Sequence, residues 1–366
     1  MRALILAGGF GTRLRPLSCT RPKLMFPIAN RPLLDWVLER LSKSGVTRVV
    51  LAVNYMADVL RENFGKSKYG LEIVYSLEKK PLGTGGPIKM AEKFLGDTDE
   101  PFFVLNGDIL SSMDYSELLA AHTSHKADAT LALHEVDDPS RFGVVEMNGN
   151  EQILRFVEKP KKEEAPSKLV NAGVYVLNHT VFDLIPSDRK VSIEREVFPV
   201  LAGSGGLYGH KFNGVWIDIG KPSDYIQANK IVLDEIASEK PFLGKGAKVR
   251  SRVKIIPPVA IGSGAIIEDD VCIGPYVSIG NDVTVGKGSR IQDSVIYSKA
   301  WIDKFSSIKG AIIGEGAIIG SWVKVEEQCI VGDHAVINDN VTLTQKVQIC
   351  PSKEVDASIF EPSTVM

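Results

Sequence analysis

Up to about residue 235 the chain alternates short apolar runs with amphipathic segments. The run from Ala3 to Ala7 reads as a strand that stops at Gly8 and Gly9. Leu34, Val37, Leu38 and Leu41 then recur at helical spacing, with Gly45 as a C-terminal stop. "RVVLAVNY" predicts a second strand, "ADVLRENFG" a short helix, "LEIVYSLE" a third strand and "GPIKMAEKFLG" a third helix. "FFVLNGD" (102–108) is a hydrophobic strand with a polar tip. Strand and helix taking turns imply a mostly parallel sheet covered on both faces, with ligands at the carboxyl ends of its strands. Gly8 to Arg13 and Asn106 to Asp108 both fall at such ends.

From Lys245 the pattern changes. Val, Ile, Gly, Asp and Asn dominate, and the only leucine between 245 and 350 is Leu343. The segment divides into eight six-residue units from Val259 to Ser306, then "SIKG" breaks the phase, and six more units run from Ala311 to Lys346. Small or β-branched residues begin nearly every unit, and Ile or Val often takes the third place. Such hexads predict a parallel β-helix whose inward side chains stack from coil to coil, with Gly and Asn at positive-φ corners. Trp301 and Trp322 are expected on the coil exterior. The helix "PSDYIQANKIVLDEIASEK" (222–240) marks the boundary, giving domains 1–240 and 241–366.

A chain of 366 residues, 44% apolar and 24% charged, has ample material for two cores. A net charge of −2 argues against a nucleic-acid binder working through bulk electrostatics. Locally the balance differs: the first 34 residues hold six basic residues and no acid. Cys19, Cys272, Cys329 and Cys350 show neither disulfide nor zinc spacing. No run approaches the roughly 18 apolar residues of a membrane span. The expectation is a reduced, cytoplasmic protein with no membrane partner.

The glycines beside arginine suggest phosphate binding, and two common frames fail. A dinucleotide fingerprint needs glycine where Leu14 stands; a P-loop ending on "GKS" (65–67) needs glycine where Leu60 stands. What remains is G-G-x-G-T-R-L opening a loop after the first strand. Its amides can approach a polyphosphate because no Cβ intrudes, Arg13 offers a rigid fork, and Lys23 adds a mobile charge. Taken alone, "NGD" is equally an ordinary turn with Asp108 capping a helix, and Asp218 a surface acid.

Together these segments resemble the sugar-1-phosphate nucleotidyltransferase family. The likeness runs from "LAGGFGTRLRPLSCTRPK" through "PLGTGGPI", "VLNGD", "FGVV", "FVEKP", "NAGVYVL" and "SIEREVFP" to "WIDIG". It implies a Rossmann-like catalytic domain followed by a left-handed β-helix of hexapeptide repeats. It further implies that Leu6, Ala7, Gly8, Gly9, Gly11, Thr12, Arg13, Gly83 and Thr84 bind the nucleotide. Gly143, Glu158, Lys159 and Asn171 would bind the sugar phosphate. Asp108 and Asp218 would hold Mg²⁺, with Arg13, Lys23 and Asp108 catalytic. The partners implied are a nucleoside triphosphate and a sugar-1-phosphate, in a homo-oligomer.

"PFFVLNGD", "RFVEKP", "SIEREVFP" and "GVWIDIGKPSDY" resemble most the members that join GTP to mannose-1-phosphate. The Glu-Gln-Pro segment of thymidylyl and uridylyl members is replaced by Glu78-Lys79-Lys80-Pro81. Those two activities on glucose-1-phosphate are the alternatives, with a non-catalytic regulatory paralogue behind them. The intact Arg13, Lys23, Asp108 and Asp218 weigh against the paralogue. Because every motif lies upstream of 245, deleting 245–366 is expected to disturb assembly before chemistry.

Overall fold

In a computed structural model the described residues are 1–9, 11–54, 56–95, 100–187 and 189–366. Phe10, Tyr55 and Gly96, which the pattern includes in the glycine loop, the second strand and the third helix, lie outside them. The described chain gathers into two compact units: Met1–Gly9 with Leu34–Asp218, and Phe10–Leu33 with Ile219–Met366.

The first unit is built on a ten-stranded mixed sheet. Arg2–Leu6 lies between Arg48–Val53 and Phe102–Asn106, and Leu71–Leu77 follows Arg48–Val53, all in parallel. Ala3, Leu4, Ile5 and the run Val49–Val53 are buried on both faces, which is why these strands read as unbroken apolar runs. The predicted helices form at Leu33–Lys43, Ala57–Phe64 and Gly85–Leu95. Leu169–Leu177 joins antiparallel to both Phe102–Asn106 and Ala129–Glu135, and is interrupted between Asn171 and Tyr175.

His122 is buried in this unit, with Nε2 donating to Asn178 Oδ1 at 3.2 Å and Nδ1 accepting from the Thr130 hydroxyl at 3.0 Å. Burial holds its pKa below the usual value. As pH falls below about 6.5, the unfolded chain therefore takes up this proton before the folded one, and folding weakens. His122→Gln removes the effect. Chemical denaturation across pH 7 to 5 is expected to show wild type losing its stability advantage over the variant as pH drops.

The second unit holds the β-helix, three all-parallel sheets of eight, seven and six strands. Ile261, Ile267, Ile273, Ile279, Val285 and Ile291 stack inside it at hexapeptide spacing. The phase then slips earlier than the hexads suggest. Ile296, Ile302, Ile308 and Ile313 continue the interior stack, so the sides after Ile291 and Ile308 have five residues. Coil repeat falls accordingly, from Val259 opposite Val277 to Thr284 opposite Trp301. The unbroken hexads would have put Tyr297 and Asp303 inward; the adjacent Ile296 and Ile302 take those places in the core.

Trp301 and Trp322 are 50% and 57% exposed, on the exterior as expected, with Phe305 stacked on Trp322 at 4.5 Å. Positive-φ corners are less restricted than Gly and Asn, since Asp282, Phe305 and Trp322 also adopt them. The register makes a test. Ile302→Ala should cost about 2–5 kcal/mol of folding free energy by denaturant titration. Trp301→Ser, next to it but outward, should change stability by about 0.5 kcal/mol or less.

Candidate active site

In the first unit the glycine loop begins where the Arg2–Leu6 strand runs out. Ala7 N–H still donates to Ala52 at 2.8 Å, and Gly107 N–H donates to Leu6 at 3.0 Å. Asn54 donates to the Gly8 carbonyl. A Cβ on Gly8 would stand 3.0 Å from Glu78 Oε1, whereas one on Gly9 would meet nothing within 4 Å. Gly8 is thus glycine for packing, and Gly9 leaves an open approach to its backbone. Glu78, to which no role was assigned from sequence, is buried here, accepts from Leu82 N–H at 3.3 Å and is pushed above the usual carboxylate range by that burial.

Asp108 and Asp218 are brought together. Ile109–Ser111 and Trp216–Asp218 form a two-stranded antiparallel ladder in which Asp218 faces Ile109. Asp108 is therefore one register step from Asp218. Trp216 fixes this ladder to the neighbouring bulge by donating to the Ala172 carbonyl at 2.9 Å.

Glu158 and Asn171 converge on the same region. Asn171 donates to the Tyr175 hydroxyl at 3.0 Å and accepts from Gly173 N–H at 2.9 Å. Gly173 has φ +73 and lies so close to Asn106 that a Cβ would meet its amide at 2.7 Å. Tyr175 is wholly buried; desolvation, followed by the charges of Glu194, Glu158 and Asp108, pushes its phenol far up. Gly143 pairs with Glu158, and a Cβ there would strike Phe156 at 2.4 Å. Burial, then Glu194, raises the Glu158 carboxyl; Lys159 opposes this from 3.5 Å.

Gly83 and Thr84 lie against the Val191–Glu194 segment. A Cβ on Gly83 would lie 2.3 Å from the Val191 carbonyl. The Thr84 hydroxyl donates to Glu194 at 2.6 Å and accepts from Ile193 N–H at 3.0 Å. Glu194 sits on a single π-turn, Ile193–Val197, a local irregularity frequent at functional sites. That turn within "SIEREVFP" was the signal available for Glu194, and its periodicity is too short to read from sequence.

The second unit carries Gly11, Thr12, Arg13 and Lys23 on an arm of short turns. Gly11 takes φ +59 ahead of the Thr12–Leu14 turn, and the Ser18 hydroxyl holds its carbonyl at 2.7 Å. Lys23 opens the Lys23–Met25 turn. Arg13 Nη1 lies 3.3 Å from where a Gly220 Cβ would stand, so Gly220, two residues after Asp218 in the chain, makes room for the guanidinium.

Among the described residues no three His, Cys, Asp or Glu side chains gather into a metal cage. Two carboxylates whose backbones adjoin, Asp108 just before Ile109–Ser111 and Asp218 at the end of Trp216–Asp218, would still fit Mg²⁺, which takes one or two protein carboxylates and completes its shell with phosphate oxygens and water. No described helix is long and apolar enough to cross a membrane.

A sheet with polar residues at its parallel strand ends, followed by a hexapeptide β-helix, defines a two-part α/β and β-helix class. Residues 2–235 match the model of the nucleotidyl transferase family, and residues 238–365 that of the GMPPB C-terminal domain. The chain belongs to the nucleotidyl transferase family. It is 39% identical to mannose-1-phosphate guanylyltransferase 1 of Arabidopsis thaliana over 371 residues, covering 100% of both chains. It is likewise 39% identical to the mannose-1-phosphate guanylyltransferase catalytic subunit beta of Dictyostelium discoideum over 86% of each. Among solved structures, HddC from Yersinia pseudotuberculosis complexed with GMP-PN is 31% identical, with TM-score 0.54 over 63% of this chain and 99% of that one. UDP-glucose pyrophosphorylase complexed with UDP-glucose shares the fold at 24% identity, with TM-score 0.58 over 64% of this chain and 98% of that one.

Proposed function

We propose that this protein transfers the guanylyl group of GTP to mannose-1-phosphate, forming GDP-mannose and pyrophosphate. The observation that carries the reading is end-to-end likeness to an Arabidopsis mannose-1-phosphate guanylyltransferase, with 39% identity through both parts of the chain. The guanine nucleotide analogue in the Yersinia structure supports the choice of base.

A phosphate oxygen of the sugar-1-phosphate attacks the α-phosphorus of GTP, and the bond from that phosphorus to the bridging oxygen of the β-phosphate breaks. A phosphate monoester has a second pKa near 6, so the nucleophile is ionised at neutral pH and no general base is needed. This suits a chain whose histidines lie outside every motif above. The barrier is repulsion between two anions, which positioning and cations lower.

The amides around Gly8, Gly9, Gly11 and Thr12, with Arg13 and Lys23, hold the triphosphate beside the strand end at Leu6 and Ala7; Gly83 and Thr84 act through the Val191–Glu194 segment. Lys159 holds the sugar phosphate, while Glu158, Asn171 and the Gly143 backbone address sugar hydroxyls. Asp108 and Asp218 would hold Mg²⁺, which when bound neutralises charge on α-phosphate oxygens. The reading includes a cytoplasmic location and a homo-oligomer, the latter supported by the exposed aromatic surface of Trp301, Phe305 and Trp322.

A panel of nucleoside triphosphates crossed with sugar-1-phosphates, scored for pyrophosphate release with and without Mg²⁺, tests it. GTP with mannose-1-phosphate should give the highest kcat/KM. A tenfold preference for dTTP or UTP with glucose-1-phosphate would refute the assignment.

A further inference from the structure

The arm that carries Gly11, Thr12, Arg13 and Lys23 has little regular structure of its own. It consists of three three-residue turns and the hairpin Pro27–Ile28 with Arg31–Pro32. Backbone of this kind is held in one place by what it docks on, and the arm docks on the β-helix unit at three points. The Tyr225 hydroxyl donates to Pro27, and Asn229 accepts from Ala29 N–H at 2.8 Å, both from the Pro222–Ala237 helix. Asn30 accepts from the buried Ser278 hydroxyl at 2.7 Å on a coil. The third anchor is ionic: Arg21 Nη2 donates to Asp333 at 2.5 Å and to Glu315 at 3.0 Å.

The third anchor has features the others lack. The Arg21 and Asp333 side chains are only 16% and 4% exposed. Arg21 also lies over the Tyr297 ring, 4.8 Å from its centre, and Thr20 donates to the same Asp333 oxygen at 2.6 Å. The other Asp333 oxygen accepts from Glu315 N–H at 2.7 Å, so the coil backbone fixes the carboxylate's direction. Arg21 stands two residues before Lys23, and Ser18, three residues before Arg21, holds the Gly11 carbonyl. With two carboxylates and an aromatic face around it, the guanidinium is committed to the coil and is not a phosphate ligand.

We propose that Arg21 is a positioning residue for the nucleotide. By locking the arm to Asp333 and Glu315 of the β-helix, it sets where Arg13 and Lys23 meet the triphosphate. This rests on the nucleotidyl transfer reading above. The β-helix is then part of the catalytic apparatus, and a charge on its coil governs nucleotide affinity. Removing one partner leaves the other buried and uncompensated, and an ångström-scale displacement of a positioning group can lower turnover about 10²-fold.

In the full-length chain, Arg21→Ala should reduce kcat/KM about 10²-fold, mainly by raising KM for GTP. KM for mannose-1-phosphate should stay within about twofold, because Glu158, Lys159 and Asn171 belong to the other unit. Arg21→Lys keeps the charge without the fork and should fall between. Adding Asp333→Asn to Arg21→Ala should cost little more, since both changes break one linkage. Arg252→Ala, which breaks an exposed pair with Asp270 at 3.0 Å on the same β-helix, should leave KM unchanged.

Amide exchange of residues 11–33 should speed up in Arg21→Ala whether or not any transfer is measurable, which separates failure of this inference from failure of the assigned reaction. If Arg21→Ala does not fold, Asp333→Asn alone takes its place in both measurements. Wild-type KM for GTP together with wild-type exchange in the arm would overturn the proposal. So would equal rises in KM for both substrates with a lowered unfolding temperature, the mark of a purely structural pair.

Discussion

Asp108→Asn is expected to lower kcat by about 10³-fold while leaving the unfolding free energy within about 0.5 kcal/mol of wild type. Asparagine keeps the size of the side chain and removes the charge. The Ile109–Ser111 and Trp216–Asp218 ladder that frames the residue is made by backbone, so it survives the change. On the proposed reading, what is lost is half of the carboxylate pair that would hold Mg²⁺, and a divalent cation is worth several kcal/mol of charge stabilisation. Asp218→Asn should fall by a similar factor, and the double variant by far less than the product, because the two act on one centre. Steady-state pyrophosphate release with circular dichroism checks all three. Near-normal turnover in Asp108→Asn would remove Asp108 from the chemistry.

The second large effect reverses an expectation drawn from the position of the motifs. Since every motif precedes residue 245, loss of the β-helix is expected from sequence to disturb assembly before chemistry. The structure places the arm, with Gly11, Arg13 and Lys23, in the same compact unit as the coils. A chain ending at residue 240 loses Asp333, Glu315 and Ser278, which hold Arg21 and Asn30. The contacts of the Pro222–Ala237 helix with Phe26, Pro27 and Ala29 remain. Transfer should therefore drop more than about 10²-fold, and the arm should become the most rapidly exchanging segment. Comparison of full-length and shortened chains by pyrophosphate release and amide exchange decides the matter. A shortened chain within tenfold of full activity would return the β-helix to a role in assembly alone.

Local and periodic features were legible in the sequence. The Arg2–Leu6 and Phe102–Asn106 strands show as apolar runs because both of their faces are buried, and the Leu33–Lys43 helix shows through its spacing. The β-helix is legible as a fold while its phase is not, for a physical reason. Ile296 and Tyr297 are adjacent and both buried, so pattern alone does not say which one faces inward. Pairing across the chain left no trace at all. Arg21 and Asp333 lie 312 positions apart, and each looks like any surface charge until a buried partner is found. The surroundings of Glu78 and Glu194 leave no local signal either, since burial beside Gly8 and a hydrogen bond from Thr84 are tertiary facts.

The most direct test follows phosphorus. With GTP labelled at the α-phosphorus in one sample and at the γ-phosphorus in another, each is incubated with mannose-1-phosphate and Mg²⁺. The α label should appear in GDP-mannose and the γ label in pyrophosphate, in equal amounts. Release of α label as free GMP, or both labels remaining in bound GTP, would contradict the proposed transfer.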